Sequence, residues 1–328
     1  MKETDYVYAV AYTHMLENKM LQKADYDDML EARSLAEAQK VLLNIGYGGN
    51  AGKERNLGAE DLLKEEMAYT WDEIRRACPK DAPLNILLYQ NDFHNLKAIL
   101  ESFLSGVDYK PLILEPHAFS PDAIHRAVAG GKMDTLPEAL KKPAMEAHRI
   151  LSRDGDGEAA EILLDKALFS AMREVAEESK NVFLINLVDL NIALMNMKVA
   201  IRSTHSGKNR DFLRDSMLDC KRIDTEALVD AAIHGIGITA VLQVFTRSGF
   251  MGAAKAATES AGAFDKYCDN ELIKFLQPAR NKYFGVEPII GFLIGKQFEL
   301  RNVRIILLSF QRGIPKDVLR ERLRVSYV

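Results

Sequence analysis

The stretch GYGGNAGKE, Gly46 to Glu54, contains the residue types of a phosphate-holding loop. In such a loop, G-x-x-x-x-G-K-[ST], glycines let backbone N–H groups approach the anion, the lysine neutralises the outer phosphates and the hydroxyl holds magnesium. Here the register fails twice: counting back from Gly52-Lys53 puts Tyr47 where the first glycine belongs, and Glu54 stands where Ser or Thr is required. The preceding SLAEAQKVLLNI has helical spacing, whereas a phosphate loop follows a buried strand. The expectation is that Gly46 ends a helix in the left-handed conformation and that the rest is an exposed loop without a nucleotide.

Other candidate chemistry also fails on spacing. DGDGEAAEILLD, Asp154 to Asp165, starts like a calcium loop, but Ala159 occupies the glycine position and Asp165 replaces the bidentate glutamate. A helix from Glu158, capped by these acids, is expected instead. There is no H-E-x-x-H, no G-x-S-x-G and no Cys/His pairing with metal-ligand spacing, so no catalytic, cofactor-binding or metal residue is assigned. His117 and His125 flank a helix start and read as surface or hydrogen-bonded residues. Cys78, Cys220 and Cys268 lie far apart and read as free thiols in a reducing compartment.

A net charge of -4 over 328 residues, with scattered basic residues, gives no general attraction to nucleic acid or anionic lipid. The N-terminal MKETDYVYAV lacks the basic-then-apolar pattern of a secretory signal, which points to the cytoplasm. VFLINLVDLNIALMNMKVAI, Val182 to Ile201, has about the length of a bilayer-spanning helix, roughly 20 residues. Asp189, Lys198 and three asparagines interrupt it, so a helix buried in a protein core is expected.

These segments must be positioned by helices, because apolar residues recur at three- and four-residue intervals and hairpin signals between alternating apolar strands are missing. The fold is expected to be all-α. Ser120-Pro121-Asp122 reads as a helix start, and DTEALVDAA from Asp224 and IPKDVLRERL from Ile314 read as the same device. Three segments align without gaps: NLKAILESFLSG (Asn95 to Gly106), NMKVAIRSTHSG (Asn196 to Gly207) and NVRIILLSFQRG (Asn302 to Gly313). Each begins with asparagine, has a basic residue two positions on (Lys97, Lys198, Arg304), serine at or beside the eighth position and glycine at the twelfth.

A stripe at 4-3-4-3 spacing runs through all three: Tyr89, Phe93, Leu96, Leu100, Phe103; Leu190, Leu194, Met197, Ile201, Thr204; Lys296, Leu300, Val303, Leu307, Phe310. The chain reads as a single domain of three helical repeats, about 1–118, 119–223 and 224–328. The asparagines are expected to satisfy backbone groups near helix crossings and the basic residues to pair with acids.

YVYAVAYTHMLENKML and QKVLLNIGYGG near the start, FLINLVDLNIALMNMKVAIRS in the middle and FGVEPIIGFLIGKQFELRNVRIILLSFQRGIPKDVLRERLRVSYV at the end together resemble the C subunit of the A-type/V-type rotary ATPases, the family that includes the d subunit of the eukaryotic V-ATPase. The last segment is the most specific, with its glycine, Glu-Pro, apolar helix, Asn-x-Arg and Pro-x-x-x-x-Arg-x-x-Leu. The resemblance implies three similar helical bundles around a pseudo-threefold axis, shaped as a funnel. It also implies a non-catalytic rotor protein, monomeric when isolated, between the D and F subunits of the central stalk and the membrane rotor ring. No cofactor, small-molecule ligand or nucleic acid is implied. A helical-repeat scaffold of another multisubunit complex is the alternative reading, separated from the first by what copurifies with the chain.

Overall fold

The computed structural model describes residues 2–49, 57–234 and 238–328, and among them it contains sixteen α-helices and no strand. They divide into two compact units, Met1–Ala82 with Lys255–Val328, and Pro83–Ala254.

In the first unit, helices α1 (Val7–Glu17), α2 (Lys23–Glu31), α3 (Leu35–Asn44) and α4 (Ala59–Ala77) precede α14 (Ala261–Leu276), α15 (Glu287–Arg312) and α16 (Lys316–Arg322). α15 is the central element: α1, α2, α3, α4, α14 and α16 all pack on it. Its sequence is apolar around most of its circumference, as a helix surrounded by others requires. Leu300, Val303, Ile306 and Leu307 on α15 join Met29, Leu42, Leu62, Leu63 and Leu319 in one apolar core.

The second unit contains α5 (Asn85–Ser105), α6 (Pro121–Ala129), α7 (Glu138–Asp154), α8 (Gly157–Glu178), α9 (Val182–Ser206), α10 (Arg210–Ser216), α11 (Thr225–His234) and α12 (Ile238–Arg247); α13 (Ala253–Glu259) lies at the boundary. α8 packs on α7, α5 and α9, and α9 also packs on α11 and α12. α9 includes the one described helix long and apolar enough to cross a membrane, Val182–Thr204, and half of its most apolar window is buried within the protein.

Local signals act where they stand. The Ser120 side chain accepts from the Ala123 N–H, Asp224 from Ala227 and Asp156 from Ala159, so the calcium-like run is the capped start of α8. The start of α16 differs from the reading at Ile314: Pro315 occupies the cap position, and no side chain caps the helix. Proline fixes a suitable entry angle there but offers no side-chain acceptor. The glycine-rich stretch also corrects the expectation of an exposed loop. Gly46 does turn the chain with φ 88°, but Tyr47 and Gly48 after it are buried. The rest of that stretch, with Gly52, Lys53 and Glu54, lies outside the described residues.

The apolar stripes are buried for four of their five positions. The last ones, Phe103, Thr204 and Phe310, sit in the final helical turn, and Phe103 is 42% exposed. Periodicity describes a face and carries no information on how far neighbours extend along it.

On α15, Gly291 and Gly295 leave a groove filled by Tyr327. A Cβ at Gly295 would lie 2.5 Å from Tyr327 Cγ, and one at Gly291 would lie 2.6 Å from Tyr327 Oη. The groove therefore requires glycine on close-approach grounds. Gly295→Ala is expected to destabilise the protein by about 1–3 kcal/mol through overpacking, and in a urea-unfolding double-mutant cycle the same change should cost much less in a Tyr327→Ala background than in the wild type.

Candidate functional site

Three buried asparagines each hold a distant piece of backbone by two bonds. Asn95 Nδ2 donates to the Leu114 carbonyl (3.0 Å) while Leu114 N donates to Asn95 Oδ1 (2.8 Å). Asn196 does the same to Leu218 (2.6 and 3.1 Å), and Asn302 to Arg324 (3.1 and 2.9 Å). The held residues lie in non-helical segments, or straps, after α5, α10 and α16, where their N–H and C=O groups have no helical ladder to join. A carboxamide is the side chain that can donate to a carbonyl and accept from an amide together.

Gly106, Gly207 and Gly313 end α5, α9 and α15 with φ of 72°, 64° and 64°, and each N–H returns to the carbonyl of the repeat's serine: Ser102, Ser203 and Ser309. The left-handed cap explains glycine there. Lys97 reaches Asp165 on α8 (2.6 Å), and Arg304 donates from Nε to both carboxylate oxygens of Glu60 on α4 (3.1 Å each). Lys198 occupies the corresponding position on α9, half-buried.

A second polar centre lies within the first unit. Lys296 Nζ donates to Glu66 Oε1 on α4 (2.8 Å) and to Glu299 Oε1 one turn along α15 (2.6 Å), and all three side chains are buried. Glu66 Oε2 accepts from Gly48 N (2.7 Å), Glu299 Oε2 accepts from Leu21 N (2.7 Å), and Tyr47 Oη donates to Glu299. The Lys296 ammonium also stands over the Tyr47 ring, 4.9 Å from its centroid. A glycine-turn amide of the kind that would face a phosphate is therefore occupied by the protein's own carboxylate. Along its seam Lys296 interrupts an apolar stripe, and its partners, 230 residues away and three residues away, account for the interruption.

Burial pulls the Lys296 ammonium down, but Glu299 and Glu66 beside it more than offset this and hold it above the ordinary lysine value. Burial, then the charges of Glu299 and Glu66, push the Tyr47 phenol well up.

Clefts open on the surface of each unit among the described residues. One of about 320 Å³ in the second unit is lined by Arg173, Asp189, Asp219 and Lys221, and one of about 330 Å³ in the first by Tyr26, Asp27, Arg320 and Arg324. In them Arg173 bonds the Asp219 backbone carbonyl, Asp189 accepts from the Lys221 backbone N–H, Arg320 pairs with Asp27 and Arg324 with Asp269. His125 is stacked by Phe103 and Tyr109. Among the described residues no group of three or more His, Cys, Asp or Glu could hold a metal ion.

Exposed apolar side chains gather in two places. Phe103, Leu104, Val107, Leu112 and Leu114 lie at the end of α5 and along its strap. Val7, Tyr8 and Met15 lie outward on α1, near Tyr283, which packs edge-on to His14. The α1 face has no distinguishing mark in the sequence, since YVYAVAYTHML is apolar on every side.

The family profile of the ATP synthase (C/AC39) subunit matches residues 9–322, through all three asparagine helices. The chain belongs to the ATP synthase (C/AC39) subunit family. Similar members include the C subunit of the V-type sodium ATPase of Enterococcus hirae, 18% identical over 95% of each chain. The C subunit of the V-type ATP synthase of Thermus thermophilus is 20% identical over 97% of this chain and 98% of its own. The C subunit of the A-type ATP synthase of Methanocaldococcus jannaschii is 21% identical over 97% and 86%.

Two expectations follow for this C/AC39 chain. Asn196→Leu should lose about 1–3 kcal/mol in urea unfolding, because it leaves the Leu218 N–H without its acceptor while the Leu218 carbonyl keeps only Thr225 Oγ1, whereas Lys97→Ala should lose less than about 1 kcal/mol. The second concerns alkali. Lys296 and Tyr47 both have folded-state pKa values above their unfolded ones, so their protonated forms contribute stability below about pH 10 that is lost as pH rises further. The urea midpoint of the wild type should fall between pH 9 and 11 more steeply than that of Tyr47→Phe.

Proposed function

We propose that this chain is a non-catalytic rotor subunit of a rotary A/V-type ATPase. In this reading it links the D and F subunits of the central stalk to the membrane rotor ring and transmits torque for ion transport or ATP synthesis. The observation that carries the reading is the match of nearly the whole chain to a family whose similar members are named as the C subunits of such machines. The interior supports it, because polar groups that could do chemistry are consumed in holding segments together: Gly48 N by Glu66, Leu21 N by Glu299, and the strap amides by Asn95, Asn196 and Asn302. Such bonds suit a body that must carry load without changing shape.

We infer three repeats, marked by Asn95, Lys97 and Gly106, by Asn196, Lys198 and Gly207, and by Asn302, Arg304 and Gly313. α5 packs on α8 from the next third of the sequence, α9 on α11 and α12 from the last, and α15 on α4 from the first. We propose the funnel around a pseudo-threefold axis on the family resemblance, with the chain on the cytoplasmic side and monomeric before assembly. The exposed apolar groups at the end of α5 and on α1 are the proposed contact regions, bordered by charge, as suits a protein that must stay soluble alone.

Omission of this chain from the reconstituted complex should leave ATP hydrolysis by the soluble head intact and abolish ATP-driven ion uptake into vesicles. Restored uptake on adding the purified chain, with the D and F subunits and the ring recovered alongside it, is the expected result. Unchanged uptake without it, or recovery with an unrelated complex, would overturn the proposal.

A further inference from the structure

The strap after α5 is held by four side chains of that helix, Asn91, Asp92, His94 and Asn95. Asn91 Nδ2 donates to the Pro116 carbonyl (2.8 Å), His94 Nε2 lies 3.0 Å from the Leu112 carbonyl, and Asn95 clamps Leu114. One turn before Asn95, Asp92 Oδ1 accepts from both Ala118 N and Phe119 N (3.0 Å each). The strap thus runs antiparallel to α5 and delivers Ser120 as the cap of α6. The Asp92 contact sits at the last step before that helix.

Asp92 is 0% exposed, its second oxygen, Oδ2, is enclosed without a hydrogen-bond partner, and among the described residues no lysine or arginine pairs with it. The comparable carboxylate on α9, Asp189, accepts from Lys221 N but is half-buried at the rim of an open cleft. An ionised carboxylate with one oxygen enclosed and unpartnered is costly. A proton on Oδ2 removes the charge and leaves both N–H bonds to Oδ1 in place. We propose that the 112–119 strap is a proton-operated latch, locked when Asp92 carries a proton and poised to open when its carboxylate is ionised.

Burial raises the Asp92 carboxyl to about 6, opposed by the Phe119 and Ala118 amides and by His117 on the strap. The other titratable group beside it is Tyr89 on α5, stacked on Phe119; burial keeps its phenol protonated, helped by Asp92 and by Glu174 and Glu178 on α8. The folded-state value lies above the unfolded one, so the proton's contribution is fully present below about pH 4 and lost as pH rises through about 6. Opening lets the carboxylate reach water, and is therefore favoured at neutral pH.

The latch is independent of the rotor reading and is tested on the full isolated chain. Hydrogen exchange of the Ala118 and Phe119 amides, corrected for intrinsic chemical rates, should show opening about tenfold more favourable at pH 7.5 than at pH 5.0. In Asp92→Asn, which keeps the acceptor oxygen without a titrating charge, this difference should vanish. His117→Gln should retain it, with the midpoint moved slightly upward. Carboxyl NMR of the wild type should place the Asp92 midpoint near 6, a readout that stands even if the asparagine variant fails to fold. A midpoint below 5, pH-independent exchange in the wild type, or a pH response lost in His117→Gln but kept in Asp92→Asn would overturn the latch.

Discussion

Backbone amides in a non-helical segment against a helical core have no ladder to join, and the structure depends on how this demand is met. In an all-helical protein the connections are usually surface loops whose N–H and C=O groups face water. Here three non-helical segments run back along α5, α9 and α15, and a buried asparagine takes both groups of one residue in each: Leu114, Leu218 and Arg324. The clamp fixes where the following segment goes. After Leu114 and Leu218 it leads to Ser120 and Asp224, which cap the next helices, and after Arg324 it leads to Tyr327 in the groove of α15.

The ion cluster in the first unit solves the same problem with charge. Gly48 and Leu21 lie in short connections, and their amides are taken by carboxylates held through Lys296. Two carboxylates sharing one ammonium would be a poor arrangement if their oxygens were otherwise bare, since burying a charge is costly unless it is paired and hydrogen-bonded. All four oxygens have donors here, from Lys296, Tyr47 and the two amides. The cluster ties α4 and α15 to the turns on either side of α2 and α3, segments from the two ends of the chain. For a protein proposed to carry torque, such cross-links matter more than their net stability, because they resist relative sliding of helices that apolar contacts alone would permit.

Much of this was legible in the sequence, and the rest was not, for a reason that distance along the chain explains. The capping roles of Ser120 and Asp156 and the left-handed glycines at 106, 207 and 313 depend on contacts within about one helical turn, so residue type and spacing carry them. The helical faces are equally local, since a 4-3-4-3 stripe needs only the rise and turn of one helix. The end of a stripe is not local: Phe103 continues the seam of α5 but stands largely outside it.

The helical class, the three aligned segments and the residue types at which helices begin and end follow from interactions between near neighbours, so the order of residues suffices to specify them. Which backbone each asparagine clamps, 19 to 22 residues on, and which carboxylates Lys296 meets were settled only when the helices packed. Packing also turned the glycine-rich stretch inward, through Tyr47 and a partner 252 residues away. An asparagine or lysine on an apolar face announces only that some partner is required. The partner is set by which helices close around it, and a helical pattern specifies a face without specifying what that face will meet.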